Sequence, residues 1–225
     1  DRRLTKVKGA AASEEAVRAI HTAIGKYGPG RVAMVISTWQ TLEEMYLLRK
    51  LAERHRIGAV GVITLERGER KAFKSGFAIA ADKTPNRRGA ELIFGNGPTL
   101  GDMGKVAEGV RKGEIKAVIL VNGIPDEKVR ENLATALEKV EFLAVVDIMQ
   151  SRLTDLARVA LPGAAWVEKD GTFIKEMGGR QKIRRAYMPE GDVAPEGDIL
   201  QSLLIAAGER LTQLQPKRIV TAQGS

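Results

Sequence analysis

Two runs of apolar residues, AVILV at 117–121 and FLAVV at 142–146, bracket a stretch, DEKVRENLATALEKV, with helical periodicity. This is how a parallel βαβ unit reads in sequence: strands too continuously apolar to have a wet face, joined by a crossover long enough to be a helix. Each run ends in a polar residue, Asn122 and Asp147, where open α/β sheets place their ligands.

The chain before this unit repeats the pattern. Ser13 is expected to open a helix, with Glu14 and Glu15 against its N-terminal dipole and Val17, Ile20 and Ile24 on one face. Gly28-Pro29-Gly30 ends it, and VAMVIS (32–37) follows as a buried strand. Thr41 and Glu44 predict a capping box for a second helix running to His55, and GAVGVIT (58–64) is the next strand. Residues 65–100 are polar, basic and Gly-rich, with a turn at Pro85-Asn86 and a short helix possible from Gly89-Ala90.

After the 65–100 stretch a helix is expected at about 102–112, and after the 142–146 strand a short helix around 153–158 and a strand at 159–161 stopped by Pro162. From Trp166 the chain reads as a small hairpin-like excursion near 166–187, and Asp198–Leu211 as a closing amphipathic helix. The fold class is therefore α/β, doubly wound and mostly parallel. Its organisation reads as a first α/β unit at 1–64, a basic irregular connection at 65–100, a second α/β unit at 101–213 and a tail at 214–225.

Composition limits the chemistry. At 225 residues and 44% apolar the chain can bury a sizeable core, which must be aliphatic because aromatics make up only 4%. No run of about 18 apolar residues suits a membrane span, and DRRLTKVKG lacks the apolar core of a signal peptide. The chain begins without Met, as an excised or processed segment would. With no Cys, disulfides, thiolate zinc sites and Cys-held iron–sulfur clusters are excluded from this chain, and with 2 His so is a multi-histidine metal site. The net charge of +8 invites a nucleic-acid reading, yet the cations are spread along the chain without interleaved aromatics. A solvated basic surface, or one facing an acidic partner subunit, is the preferred reading.

No dinucleotide fingerprint, Walker loop, nucleophile elbow or HExxH is present, and the Gly-rich GNGPTLG and GDMG lack a phosphate cradle's strand-then-helix context. Glu43 and Glu44 read as a solvent-facing pair, and His55 as a surface residue at a helix end. Asn86 with Arg87 and Arg88 could hold an anion, a plain connecting loop being preferred. Asp147 is the best-placed acid, with a helix cap or loop hydrogen-bonder the preferred role.

The central stretch also carries an ordered set of motifs: Val145-Val146-Asp147, Ala157-Arg158-Val159-Ala160-Leu161-Pro162, Glu168-Lys169-Asp170-Gly171-Thr172-Phe173 and Gly179-Arg180-Gln181. Together with AVILVNGIP, DKTPNRRGAEL and STWQTLEEMYLLRKLA, these resemble the molybdopterin oxidoreductases over roughly residues 10–210. The departures lie where that family's polar residues would face a pterin: Ser151-Arg152-Leu153-Thr154 replaces Thr-Glu-Thr-Ala, Arg158 replaces Asp and Lys175 replaces Asn. The loop ADKTPNRRGAE looks closest to the cofactor-less C-terminal domain of the large iron–sulfur subunit of NADH:quinone oxidoreductase (complex I).

That resemblance implies the molybdopterin-oxidoreductase type of fold and a structural domain with no catalytic residue, no cofactor and no metal of its own. Iron–sulfur clusters are then expected on a partner chain or on a missing N-terminal segment. The partners implied are iron–sulfur and NADH-oxidising subunits of a multisubunit complex, cytoplasmic and peripheral to the membrane, with no nucleic acid and no direct membrane insertion. Two alternatives remain. One is a fragment of a formate-dehydrogenase-like molybdenum or tungsten enzyme, in which Asn122, Asp147, Gly171 and Thr172 would touch the pterin cofactor. The other is a basic nucleotide- or nucleic-acid-binding α/β protein.

Overall fold

A computed structural model of the chain describes residues 10–65, 68–95, 103–176, 178–191 and 193–209. The N-terminal DRRLTKVKG, most of GNGPTLG and the expected tail lie outside the described residues. In chain order the strands are β1 (Val32–Ser37), β2 (Ala59–Ile63), β3 (Lys71–Ala72), β4 (Ala78–Ile79), β5 (Ala117–Val121), β6 (Phe142–Asp147), β7 (Val159–Pro162), β8 (Gly171–Ile174) and β9 (Arg180–Ile183). The helices are α1 (Ala10–Tyr27), α2 (Leu42–His55), α3 (Arg87–Phe94), α4 (Met103–Arg111), α5 (Glu127–Leu137), α6 (Arg152–Asp155) and α7 (Glu196–Ala206).

β1, β2, β5, β6 and β7 form one sheet in the order β2-β1-β5-β6-β7. Every pairing in it is parallel, so strands from 1–64 and from 101–213 share a single sheet. Two small antiparallel ribbons, β3-β4 and β8-β9, lie outside it. β1 and β5 are buried along their whole length because helices cover both faces. Alternate strand residues serve opposite cores. Met34, Ile36, Ile119 and Val146 pack with Ile20 of α1, Met45 and Leu48 of α2, and Leu200 and Leu203 of α7. Val35, Leu120 and Val145 pack with Val106 of α4, Leu133 and Leu137 of α5, and Leu153 of α6. This three-layer α/β arrangement is the doubly wound class read from the sequence. The order of the strands reverses between β1 and β5, so the carboxyl ends of these two flank the switch point of the sheet.

Several element ends differ from the sequence reading. α1 starts at Ala10 rather than Ser13, since the alanines ahead of Ser13 extend the helix as readily as they precede it. Glu14 and Glu15 therefore lie beyond its first turn. α7 spans Glu196–Ala206 rather than 198–211. Pro195 stands immediately before it, and Gly208, at φ 83°, takes the left-handed conformation that closes it. The 65–100 stretch is less irregular than expected: it holds the β3-β4 ribbon and α3. The excursion from Trp166 is the β8-β9 hairpin, preceded by a short 3-10 turn at Trp166–Glu168. Among the described residues no helix is long and apolar enough to cross a membrane.

A buried polar network at the carboxyl edge of the sheet

The switch point holds a set of polar side chains in contact with one another. Asp147, the last residue of β6, is buried and its carboxylate is fully engaged. Its Oδ1 accepts from the Ile148 amide at 2.8 Å and the Gly123 amide at 3.3 Å. Its Oδ2 accepts from Asn122 Nδ2 at 2.9 Å and from Arg130 Nε of α5 at 3.2 Å. Both side chains of the Arg130–Asp147 ion pair are almost wholly buried. The loop hydrogen bonds preferred for Asp147 are present, to the Gly123 and Ile148 amides, and a buried ion pair with Arg130 is added to them. Arg130 escaped the sequence reading because it stands in a helix whose repeat accounts for it as an ordinary surface cation.

The second half of the network gathers around Lys169, which is 3% exposed. Its ammonium donates to Gln40 Oε1 at 2.5 Å, Glu196 Oε2 at 3.0 Å and Glu44 Oε2 at 3.1 Å. Glu44 belongs to the expected capping box of α2: its carboxylate accepts from the Thr41 amide at 2.7 Å, while Thr41 Oγ1 accepts from the Glu44 amide at 3.2 Å. Gln40 links the halves, since its Nε2 donates to the Asn122 carbonyl at 2.9 Å. Ser37 Oγ, at the end of β1, donates to the same carbonyl.

The pair Glu43/Glu44 does not face solvent as read from the sequence. Glu44 is buried against Lys169, and Glu43 accepts from the Thr172 amide at 2.9 Å and its hydroxyl at 2.8 Å. Helical periodicity hid this because β8 and the turn before it, more than a hundred residues later, cover that side of α2. His55 is likewise partly buried, its ring edge-to-face with His21 at 5.4 Å. Burial, then the neighbouring His21, holds its imidazole below the usual histidine range.

Asn86 is buried rather than displayed to an anion. It adopts a left-handed backbone at φ 51°, donates from Nδ2 to the Gln40 carbonyl at 2.9 Å and accepts from the Ile174 amide at 2.8 Å. It ties the start of α3 to both β8 and the loop after β1.

The four residues read as pterin contacts take different places. Asn122 and Asp147 lie side by side in the network, and Thr172 is bound to Glu43 on the α2 side. At Gly171 a Cβ would lie 2.2 Å from Thr41 Cγ2, so the Thr41 side chain already fills the space glycine leaves. Asn122 Oδ1 and Arg130 Nη2 have no partner, and both atoms are sealed from the surface. The polar side-chain atoms of Asn122, Asp147 and Thr172 are thus hydrogen-bonded within the protein or, like Asn122 Oδ1, sealed from the surface. Among the described residues there is also no cluster of three or more His, Cys, Asp or Glu suited to a metal. A surface cleft of about 350 Å³ between α4 and α5, bordered by Glu108, Arg111, Thr135 and Lys139, shares no residue with the network.

A family model described as molybdopterin oxidoreductase matches residues 83–205, more than half of the chain. That span contains Asn122, Asp147, Lys169, Thr172 and Glu196 of the network. The chain is 29% identical over 154 residues to a putative formate dehydrogenase of Staphylococcus haemolyticus, covering 67% of this chain and 14% of that protein. It is 34% identical over 104 residues to the NADPH-Fe(3+) oxidoreductase subunit alpha of Geobacter sulfurreducens, covering 45% and 12% respectively. With a putative formate dehydrogenase of Staphylococcus aureus the identity is 30% over 122 residues, covering 53% and 12%. The alignments thus span no more than 14% of the length of these relatives.

Proposed function

Because the chain belongs to the molybdopterin oxidoreductase family, we propose that it is a structural domain of an electron-transfer oxidoreductase, in which the family's fold serves as scaffold. In this reading it resembles the cofactor-less domain of complex I. It packs against chains that carry iron–sulfur clusters, within a cytoplasmic, membrane-peripheral assembly that includes an NADH-oxidising subunit. The observation that supports it is the closed carboxyl edge of the sheet. Arg130–Asp147 and Lys169–Glu44–Glu196 occupy with internal ion pairs the place where open α/β sheets receive ligands. A buried carboxylate already accepting from four donors has little left to offer a ligand.

A second reading is favoured by the names of the relatives: a segment of a formate-dehydrogenase-like enzyme, with the pterin held in part by other segments of a longer protein. The two readings separate in one experiment. The full chain, isolated with whatever chains accompany it, is denatured and oxidised, then read for pterin fluorescence and, by mass spectrometry, for molybdenum and tungsten. The scaffold reading expects neither at more than trace level, together with an iron–sulfur chain in the same preparation. Near-stoichiometric pterin would overturn it in favour of the second.

A further inference from the structure

The β8-β9 hairpin has two unlike strands. β8 alternates partly and fully buried residues against α2 and α3, whereas Arg180, Gln181 and Lys182 of β9 are exposed and, among the described residues, β9 has a neighbouring strand on one side only. Residues 180–185 carry four cations and no carboxylate: Arg180, Lys182, Arg184 and Arg185. Of these four, counting partners among the described residues, only Arg185 is ion-paired, loosely, with Asp170 at 3.7 Å. At the base of the hairpin the Ala186 amide donates to the Val167 carbonyl at 2.7 Å, joining the backbones that carry Tyr187 and Trp166. Trp166 is 56% exposed, Tyr187 56% and Met188 64%.

Charge on a free edge strand is the usual guard against aggregation. Guarding alone does not call for the three large exposed apolar side chains at the base of the same hairpin. Those are what a binding surface shows: aromatic and Met anchors beside charges that set partner and register. A second copy of this chain paired edge to edge would bring cations against cations. We propose that β9 is a docking edge for an extended acidic segment of a partner protein, added beside it as a third strand. Carboxylates of the segment would meet Arg180, Lys182 and Arg184, and apolar side chains would cover Trp166, Tyr187 and Met188. A polypeptide is favoured over a nucleic acid because a free strand edge offers a ladder of backbone groups that only another backbone can complete.

The proposal rests on the reading that this chain works in an assembly, and its test separates the two. The intact assembly and the free chain are compared by amide hydrogen exchange and by carbodiimide cross-linking, which joins an amine to a carboxylate in contact. Exchange at 180–187 should slow by at least about tenfold in the assembly, and Lys182 should cross-link to Asp or Glu of one partner segment. The double variant Arg180→Glu with Arg184→Glu should keep the free chain's thermal transition and weaken the association at least about tenfold. Unchanged exchange at 180–187, with protection elsewhere, overturns the docking edge and leaves the scaffold reading standing. Protection abolished by nuclease overturns it in favour of nucleic acid. If no assembly is recovered, the scaffold reading fails, and a short peptide of alternating Glu and Val is titrated onto the free chain instead. Slowed exchange at 180–187, with a fluorescence change that Trp166→Phe removes and a Lys-Val peptide does not reproduce, sustains the proposal. No change overturns it.

Discussion

Lys169 faces two buried carboxylates, so with all three groups ionised the cluster holds one negative charge in excess. Burial raises Glu196 most, the Glu44 carboxylate raises it further, and Lys169 offsets only part, leaving it pushed up to about 7. For Lys169 burial works downward, but Glu44 and Glu196 outweigh it and hold the ammonium above the ordinary lysine value. The two directions agree: the lysine keeps its charge and Glu196 takes up the extra proton. A carboxyl whose folded pKa of about 7 exceeds its ordinary 4.5 stabilises the fold fully below pH 4.5 and loses that contribution as pH rises through 7. The stability of the wild type, relative to Glu196→Gln, should therefore fall across this window by on the order of 3 kcal/mol at most. Thermal unfolding from pH 4 to 8 checks it, and parallel curves would refute the excess charge. At the neighbouring pair, Arg130→Leu leaves a buried carboxylate without its cation and should destabilise by about 3–5 kcal/mol in urea unfolding. Arg130→Met combined with Asp147→Asn should lose distinctly less, because no buried charge is stranded.

The network is assembled by the meeting of α2, β8 and α7 above the end of β1, and that meeting depends on how closely the start of β8 approaches the Thr41 side chain at the cap of α2. Gly171 touches Thr41, the cap of α2, where a methyl group would overlap Cγ2 at 2.2 Å and Cβ at 2.6 Å. Gly171→Ala should lower stability by about 1–3 kcal/mol through this overlap. Adding Thr41→Ser removes the offending methyl while keeping the capping hydroxyl, and should recover part of the loss, as read from the unfolding midpoint. The cap itself was legible in the sequence because Thr41 and Glu44 carry their chemistry at a fixed local spacing. The second role of Glu44, as the partner of a lysine 125 residues away, carries no local signal.

The sheet unites the whole molecule. β1 pairs with β5 from Val32↔Ala117 to Ile36↔Val121, so 1–64 and 101–213 each supply strands that the other completes, and both cores draw residues from both segments. Expressed apart, the two fragments would expose an unpaired apolar edge and half of each core. Neither should show a cooperative urea transition by circular dichroism, and mixing them should restore one; a sharp transition in either alone would mean that it is an independent domain. What the sequence by itself determined is the strands of the parallel sheet, the helices that cover it, most of their limits and the doubly wound class, but not the β3-β4 ribbon. Long apolar runs must leave water, and their spacing dictates which elements can bury them. Only the tertiary structure decided which polar groups leave water together. Lys169 meets Glu44, and Asp147 meets Arg130, because packed helices and a crossing hairpin bring them within hydrogen-bond reach. Such pairing depends on distance in space, which periodicity along a chain does not encode.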